Sequence, residues 1–306
     1  MRAQVYLLPE QRLGYFYAQN SAGDEVIEAL NQVLLDHYYP APKRALQPLA
    51  DAQAHANNYA GVYRPTQTNE YTLAKIEALA VGELRASANP DGSLTITLLG
   101  MGDVWGGFTS RSRWAEIAPE LFQRVDQEHY AAFREDASGR VSHLLSGAGY
   151  HGTYRKLPWY ETSTVQLSIA AVCLLIFLVT LIAWLLGAAL GTAPIQPGLA
   201  RLARWLGMAV SALNLVGLLG LVCTLLIRRV AGLPAMAAGI SPLAVAMLGV
   251  LLLAAVLGVG LAILTVLAWK DAFWTLWGRL HSTLRTFASL TFTWWLNHWN
   301  LLGFHY

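Results

Sequence analysis

Few residues in this 306-residue chain stand at spacings that chemistry can use. Its eight histidines, His37, His55, His129, His143, His151, His281, His298 and His305, are scattered singly. Metal ligation needs several donors brought together, so each of them is read as structural or solvated. Cys173 and Cys223 both lie inside apolar runs, which excludes a disulfide framework and a cysteine-based metal site. A Gly-x-Ser-x-Gly elbow, a Walker loop and a His-Glu-x-x-His helix are all absent from the sequence. Asp126, Glu128 and Asp136 sit in a mildly acidic stretch and read as surface charges. Asn214, a polar residue within an apolar run, reads as an interhelical hydrogen-bonding group. No residue is therefore assigned a catalytic, cofactor-binding or metal-binding role, and no cofactor is expected.

The elements around these residues divide the chain in two. Hydrophobic residues make up 55% and charged residues only 13%, about half the charged share of an ordinary soluble chain. Residues 1–159 hold 14 Lys/Arg and 17 Asp/Glu, whereas residues 160–306 hold 7 Lys/Arg and only Glu161 and Asp271 as acids. The basic excess lies beside apolar runs, so it reads as a membrane flank and not as a nucleic-acid surface. Four runs approach the roughly 20 residues that cross a bilayer: about 165–191, 205–227, 243–269 and 286–304. The last is the most polar, with Asn297, His298 and Asn300 near its end. Short connections predict antiparallel neighbours in a four-helix transmembrane bundle. Small residues four apart, Gly187 with Gly191 and Ala254 with Gly258, are candidate close-approach points.

The water-soluble part begins with apolar runs Val5–Leu8 and Leu13–Ala18 around Pro9-Glu10-Gln11-Arg12, which predict a β-hairpin. Ser21 with Asp24 resembles a capping box. Behind it Val26, Ile27, Leu30, Val33 and Leu34 recur at helical spacing to about Tyr38. Pro40, Pro42 and Pro48 mark a linker over 40–58. From Tyr59 to Trp159 short strands follow at regular spacing, with Asn89-Pro90-Asp91-Gly92 and Ser138-Gly139 as turns. About eight strands in about a hundred residues predict a small antiparallel barrel, lipocalin-like in form, with Tyr63 and Phe133 pointing inward. The expected fold class is an α+β multidomain membrane protein: hairpin-helix 1–39, linker 40–58, β-domain 59–159 and helices 160–306.

The order of these pieces resembles the membrane-attached serine hydrolases related to class C β-lactamases and penicillin-binding proteins. Tyr6-Leu7-Leu8-Pro9-Glu10, with Leu13-Gly14-Tyr15-Phe16 and Asn20, resembles the last hairpin of that family's catalytic domain. Tyr59-Ala60-Gly61-Val62-Tyr63-Arg64 and Tyr154-Arg155-Lys156-Leu157-Pro158-Trp159 resemble the entry and exit of its accessory β-domain. Trp299-Asn300-Leu301-Leu302-Gly303 is similar to the ending of members with C-terminal membrane helices. The family's chemistry needs Ser-x-x-Lys on one helix face, a Tyr-x-Asn element and a late Lys-Thr-Gly or His-x-Gly strand. No serine from Ser21 to Ser289 has lysine three residues later, and Tyr-x-Asn does not occur. His151-Gly152-Thr153 has the His-x-Gly form but falls at the exit of the accessory domain.

The resemblance therefore implies the non-catalytic C-terminal part of such an enzyme. Its expected partners are the lipid bilayer and a catalytic domain outside this chain. The alternative is a membrane-tethered barrel that binds a lipid or a cell-wall fragment. The resemblance also implies a multi-pass protein of the bacterial inner membrane with its soluble half extracytoplasmic. The absence of a charged, apolar and small-residue leader near Met1 predicts either a cytoplasmic soluble half or an upstream start.

Overall fold

A computed structural model describes residues 2–20, 25–40, 46–80, 82–99, 111–146, 152–191, 198–230 and 240–303. Strands β1 (Arg2–Leu8) and β2 (Leu13–Gln19) form a two-stranded antiparallel sheet of their own, as the hairpin pattern predicts. On one face Tyr6 and Tyr15 stack, and the Tyr15 hydroxyl donates to Asn31 of α1 (Glu25–Tyr38) at 2.7 Å. On the other face Val5 stands opposite Phe16 with Leu7 beside them, and all three are more than 60% exposed. Leu30 and Val33 of α1 are exposed as well, so much of its apolar stripe is unburied. The expected capping box at Ser21 and Asp24 lies outside the described residues.

The expected linker 40–58 needs a correction. It contains most of a helix, α2 (Ala52–Tyr59), whose Ala52, Ala56 and Tyr59 are buried. Those three recur at helical spacing, and Ala56 and Tyr59 join the barrel core. The prolines precede this helix and do not interrupt it.

Eight strands then close into an antiparallel barrel in the order β10-β3-β4-β5-β6-β7-β8-β9. They are β3 (Gly61–Pro65), β4 (Glu83–Ala88), β5 (Leu94–Leu99), β6 (Arg111–Ala118), β7 (Leu121–Arg124), β8 (Tyr130–Glu135), β9 (Val141–Ser146) and β10 (Thr153–Leu157). Closure comes from β10 pairing with β3, Lys156 opposite Tyr63. An eight-stranded barrel is narrow enough for side chains to fill. Here Tyr63, Leu84, Leu94, Ile96, Trp114, Phe122 and Leu144 are all 1% exposed or less. Phe133, at 2%, meets Phe122 and Tyr59 with ring centroids 5.1 and 4.8 Å apart. Gly92 has φ +82°, and its missing Cβ leaves space for the backbone of Ala52 and Gln53. That close approach seats the start of α2 on the β4–β5 turn.

Four helices follow: α3 (Ser163–Ala189), α4 (Gly198–Val230), α5 (Pro242–Lys270) and α6 (Leu276–His298). Each packs on the next, and α6 closes back on α3. Gly217 lies against Leu251 and Gly258 against Ser289 with no space for a side chain. Ala254 is fully buried beside Gly258, so that small pair is a packing point. Gly191 is not one: it takes φ +63° after the end of α3, with nothing within 4 Å of a Cβ.

Three helices, α3, α4 and α5, are long and apolar enough to cross a membrane. The expected fourth span, 286–304, is corrected to α6. This helix starts at Leu276, stops at His298 and does not reach the same apolarity. The reason is its facing. Ser282, Arg285, Thr286 and Ser289 are buried, while Leu280, Leu284, Phe287, Leu290 and Trp294 lie outward. Thr265 of α5 bonds Ser282 and Thr286 at 2.9 and 2.8 Å, so the polar face is spent inside the bundle.

Candidate functional site at the barrel–bundle junction

The densest polar constellation joins barrel to bundle. Arg64 on β3 and Glu83 on β4 are less than 8% exposed and pair at 2.6 Å. Glu83 also accepts from the backbone N–H of Ser163 (3.0 Å) and from its hydroxyl (2.9 Å). Ser163 opens α3, so a carboxylate sits where the helix leaves its first N–H groups unpaired. Arg64 donates to the Glu161 carbonyl at 3.0 Å, and its guanidinium lies 5.8 Å from the Trp299 ring centre.

The opposite helix end is met by a cation. Lys75, on the 3-10 helix Leu73–Leu79, donates to the His298 carbonyl at the end of α6 at 2.6 Å. Asn300, left-handed at φ +55°, donates to the carbonyls of Glu70 and Thr72 at 3.0 and 3.1 Å. Leu73 and Ala78 enter the same apolar cluster as Phe292, Trp295 and Trp299. Beneath it Gln166 is fully buried: its side chain accepts from the Trp299 indole and its carbonyl from that of Trp295, both at 3.0 Å. Acid at one helix start, base at another helix end and an apolar plug between them make barrel and bundle one body.

A second cluster closes the α2 end of the barrel. Glu116, 1% exposed, bonds His55 at 2.7 Å and accepts from Tyr59 at 3.1 Å. Burial first, and then the Glu116 charge, push the Tyr59 hydroxyl well above its ordinary range. Burial does the same to Tyr63, which donates to the Tyr59 carbonyl at 2.6 Å. No serine, threonine or cysteine bonds to this histidine among the described residues, so a nucleophile–base pair is not formed. Ser163 is likewise committed, donating to a carboxylate with no lysine or histidine bonded to it among the described residues. Both clusters hold elements together.

No family model matches this chain, and neither a curated protein nor a solved structure does.

The residues singled out in the sequence are dispersed. Tyr63 and Phe133 are inside the barrel as expected. Asp126, Glu128 and Asp136 are exposed, with Asp126 held below the usual carboxylate range first of all by its bond from Arg124. His151 and His305 lie outside the described residues, and among the described ones no three His, Cys, Asp or Glu come together. Asn214 corrects its expectation. It donates to the Val210 carbonyl of its own helix at 2.9 Å, the back-bonding open to any polar side chain one turn on. Gly147-Ala148-Gly149-Tyr150-His151-Gly152 has dinucleotide-loop spacing, but the element that follows it is strand β10 and not the helix such a loop requires. The Arg64–Glu83 pair carried no sequence signal beyond two charges in strands. Only the sheet makes neighbours of positions 19 apart.

Proposed function

We propose that this chain is the membrane-anchoring and accessory part of a serine hydrolase related to class C β-lactamases and penicillin-binding proteins, and that it performs no hydrolysis itself. One observation carries the reading: the barrel is filled and fastened to the bundle, while the hairpin turns Val5, Leu7 and Phe16 outward. A packed, anchored barrel suits a rigid spacer better than a carrier of lipid or cell-wall fragments. An apolar hairpin face left exposed among the described residues suits a sheet edge that a catalytic domain completes. The inward polar face of α6 supports a fourth crossing, which keeps all four helices in the bilayer.

The test uses the full chain in detergent with a fluorescent penicillin and a serine-reactive phosphonate. No serine is labelled by either probe. A family catalytic domain that lacks its last hairpin, co-expressed with this chain, is labelled in the membrane fraction. Stoichiometric labelling of one serine in this chain overturns the reading, as does a catalytic domain that stays soluble and unlabelled.

A further inference from the structure

The far end of the bundle, opposite the barrel, contains a cavity of about 550 Å³ between α3, α4, the α5–α6 connection and α6. Arg285 lines it and is only 4% exposed. It lies nine residues into α6, about 14 Å along the axis from the start of that helix. Its Nε has no hydrogen-bond acceptor among the described residues, and none of the described ion pairs includes it. A second guanidinium, Arg204, lines the same cavity from α4, with His281 beside them. None of the described lining residues is acidic. Asp271, the one acid of the far half, is exposed at the end of α5 and is not among them.

The fold makes room for this charge deliberately. Gly207 on α4 stands where any Cβ would strike the Arg285 guanidinium, so the cation is seated in a cradle against the helix backbone. A buried cation in a lipid-embedded bundle is costly unless an anion answers it. A second guanidinium lining the same cavity adds to the positive potential that an anion bound beside Arg285 would meet. Their fork geometry and the hydroxyl of Thr275 match the several oxygens of a phosphate. The lining is partly aromatic: it includes Trp184 and Trp274, and Trp205 packs on Trp184 at 5.8 Å. Tryptophan favours the headgroup level of a bilayer.

We propose that this cavity is a phosphate-binding site, filled by the headgroup of an anionic lipid or by free phosphate, with Arg285 as its central ligand. The assignment is independent of the hydrolase reading, since it rests on the helices alone.

The experiment titrates the full chain, purified in neutral detergent without phosphate, with phosphatidylglycerol and with phosphatidylcholine by native mass spectrometry. A parallel arm follows thermal stability in inorganic phosphate against chloride at equal ionic strength. A lipid source gives a one-to-one phosphatidylglycerol adduct preferred over phosphatidylcholine. A soluble source gives stabilisation by phosphate alone. In either case Arg285→Gln weakens the effect about tenfold or more. Gly207→Ala does likewise by displacing the guanidinium, and keeps the test valid if Arg285→Gln does not fold. Arg279→Gln removes the same charge from the same helix outside the lining and binds as the parent does. Equal binding by the parent, Arg285→Gln and Gly207→Ala overturns the proposal. So does an absence of any preference for phosphatidylglycerol together with no response to phosphate.

Discussion

At the scale of single residues, the junction rests on a charge pair that is stable only as a pair. Arg64 and Glu83 are both buried, and Glu83 also answers the first N–H of α3. Glu83→Ala leaves the guanidinium buried beside an uncapped helix, and is expected to cost about 3–5 kcal/mol. The double substitution Arg64→Met with Glu83→Leu removes both charges and refills the space, and is expected to recover most of that loss. Thermal unfolding of the three proteins in one detergent measures both. A double variant as unstable as Glu83→Ala would show that the helix cap, and not the uncompensated charge, dominates.

At the scale of elements, turns and helix faces behave by different rules. Asp136 holds the β8–β9 turn by accepting from Ser138 and from the backbone N–H of Ser138 and Arg140. These bonds, the Ser138 side chain foremost, pull its carboxyl down to about 2. The unfolded carboxyl titrates near 3.9, so the ionised form favours the folded turn. Its contribution is complete above about pH 4 and disappears as pH falls through about 2. In Asp136→Asn the part of the decline in melting temperature between pH 4 and pH 2 due to this carboxyl is absent. Melting curves across that range check it, and identical slopes refute it. The α6 helix shows the complementary lesson. Its average composition understates how apolar its outward face is, because Ser282, Thr286 and Ser289 are turned into the bundle.

At the scale of the whole molecule, the bundle separates charge. Arg201, Arg204, Lys270, Arg279 and Arg285 gather at the far end, while Arg155 and Lys156 stand at the barrel end with Arg228 and Arg229 closing α4. Lys/Arg-rich flanks favour the cytoplasmic side, but five residues against four do not choose between the two orientations. The rigid junction makes sidedness a single property of barrel and bundle. Protease added to intact cells is expected to cut the hairpin and helix α1 first, because few contacts hold them to the barrel. Their protection until the cells are lysed would place the soluble half inside.

The sequence by itself determined what local pattern can encode. Period-two alternation and turn residues located the hairpin and the strands from Glu83 to Leu157. Uninterrupted apolar runs located α3, α4 and α5. Both signals are carried by neighbours in the chain, so they need no knowledge of the fold. The same reading missed α2, whose eight residues earn burial only by closing a barrel, and placed α6 ten residues late because it averaged over two unlike faces. The candidate sites were beyond it altogether. Arg64 meets Glu83 through strand pairing, Lys75 reaches His298 across 223 positions, and Arg285 faces Gly207 across two helices. A charged side chain reads as solvated until its surroundings are known, and only tertiary packing supplies those surroundings.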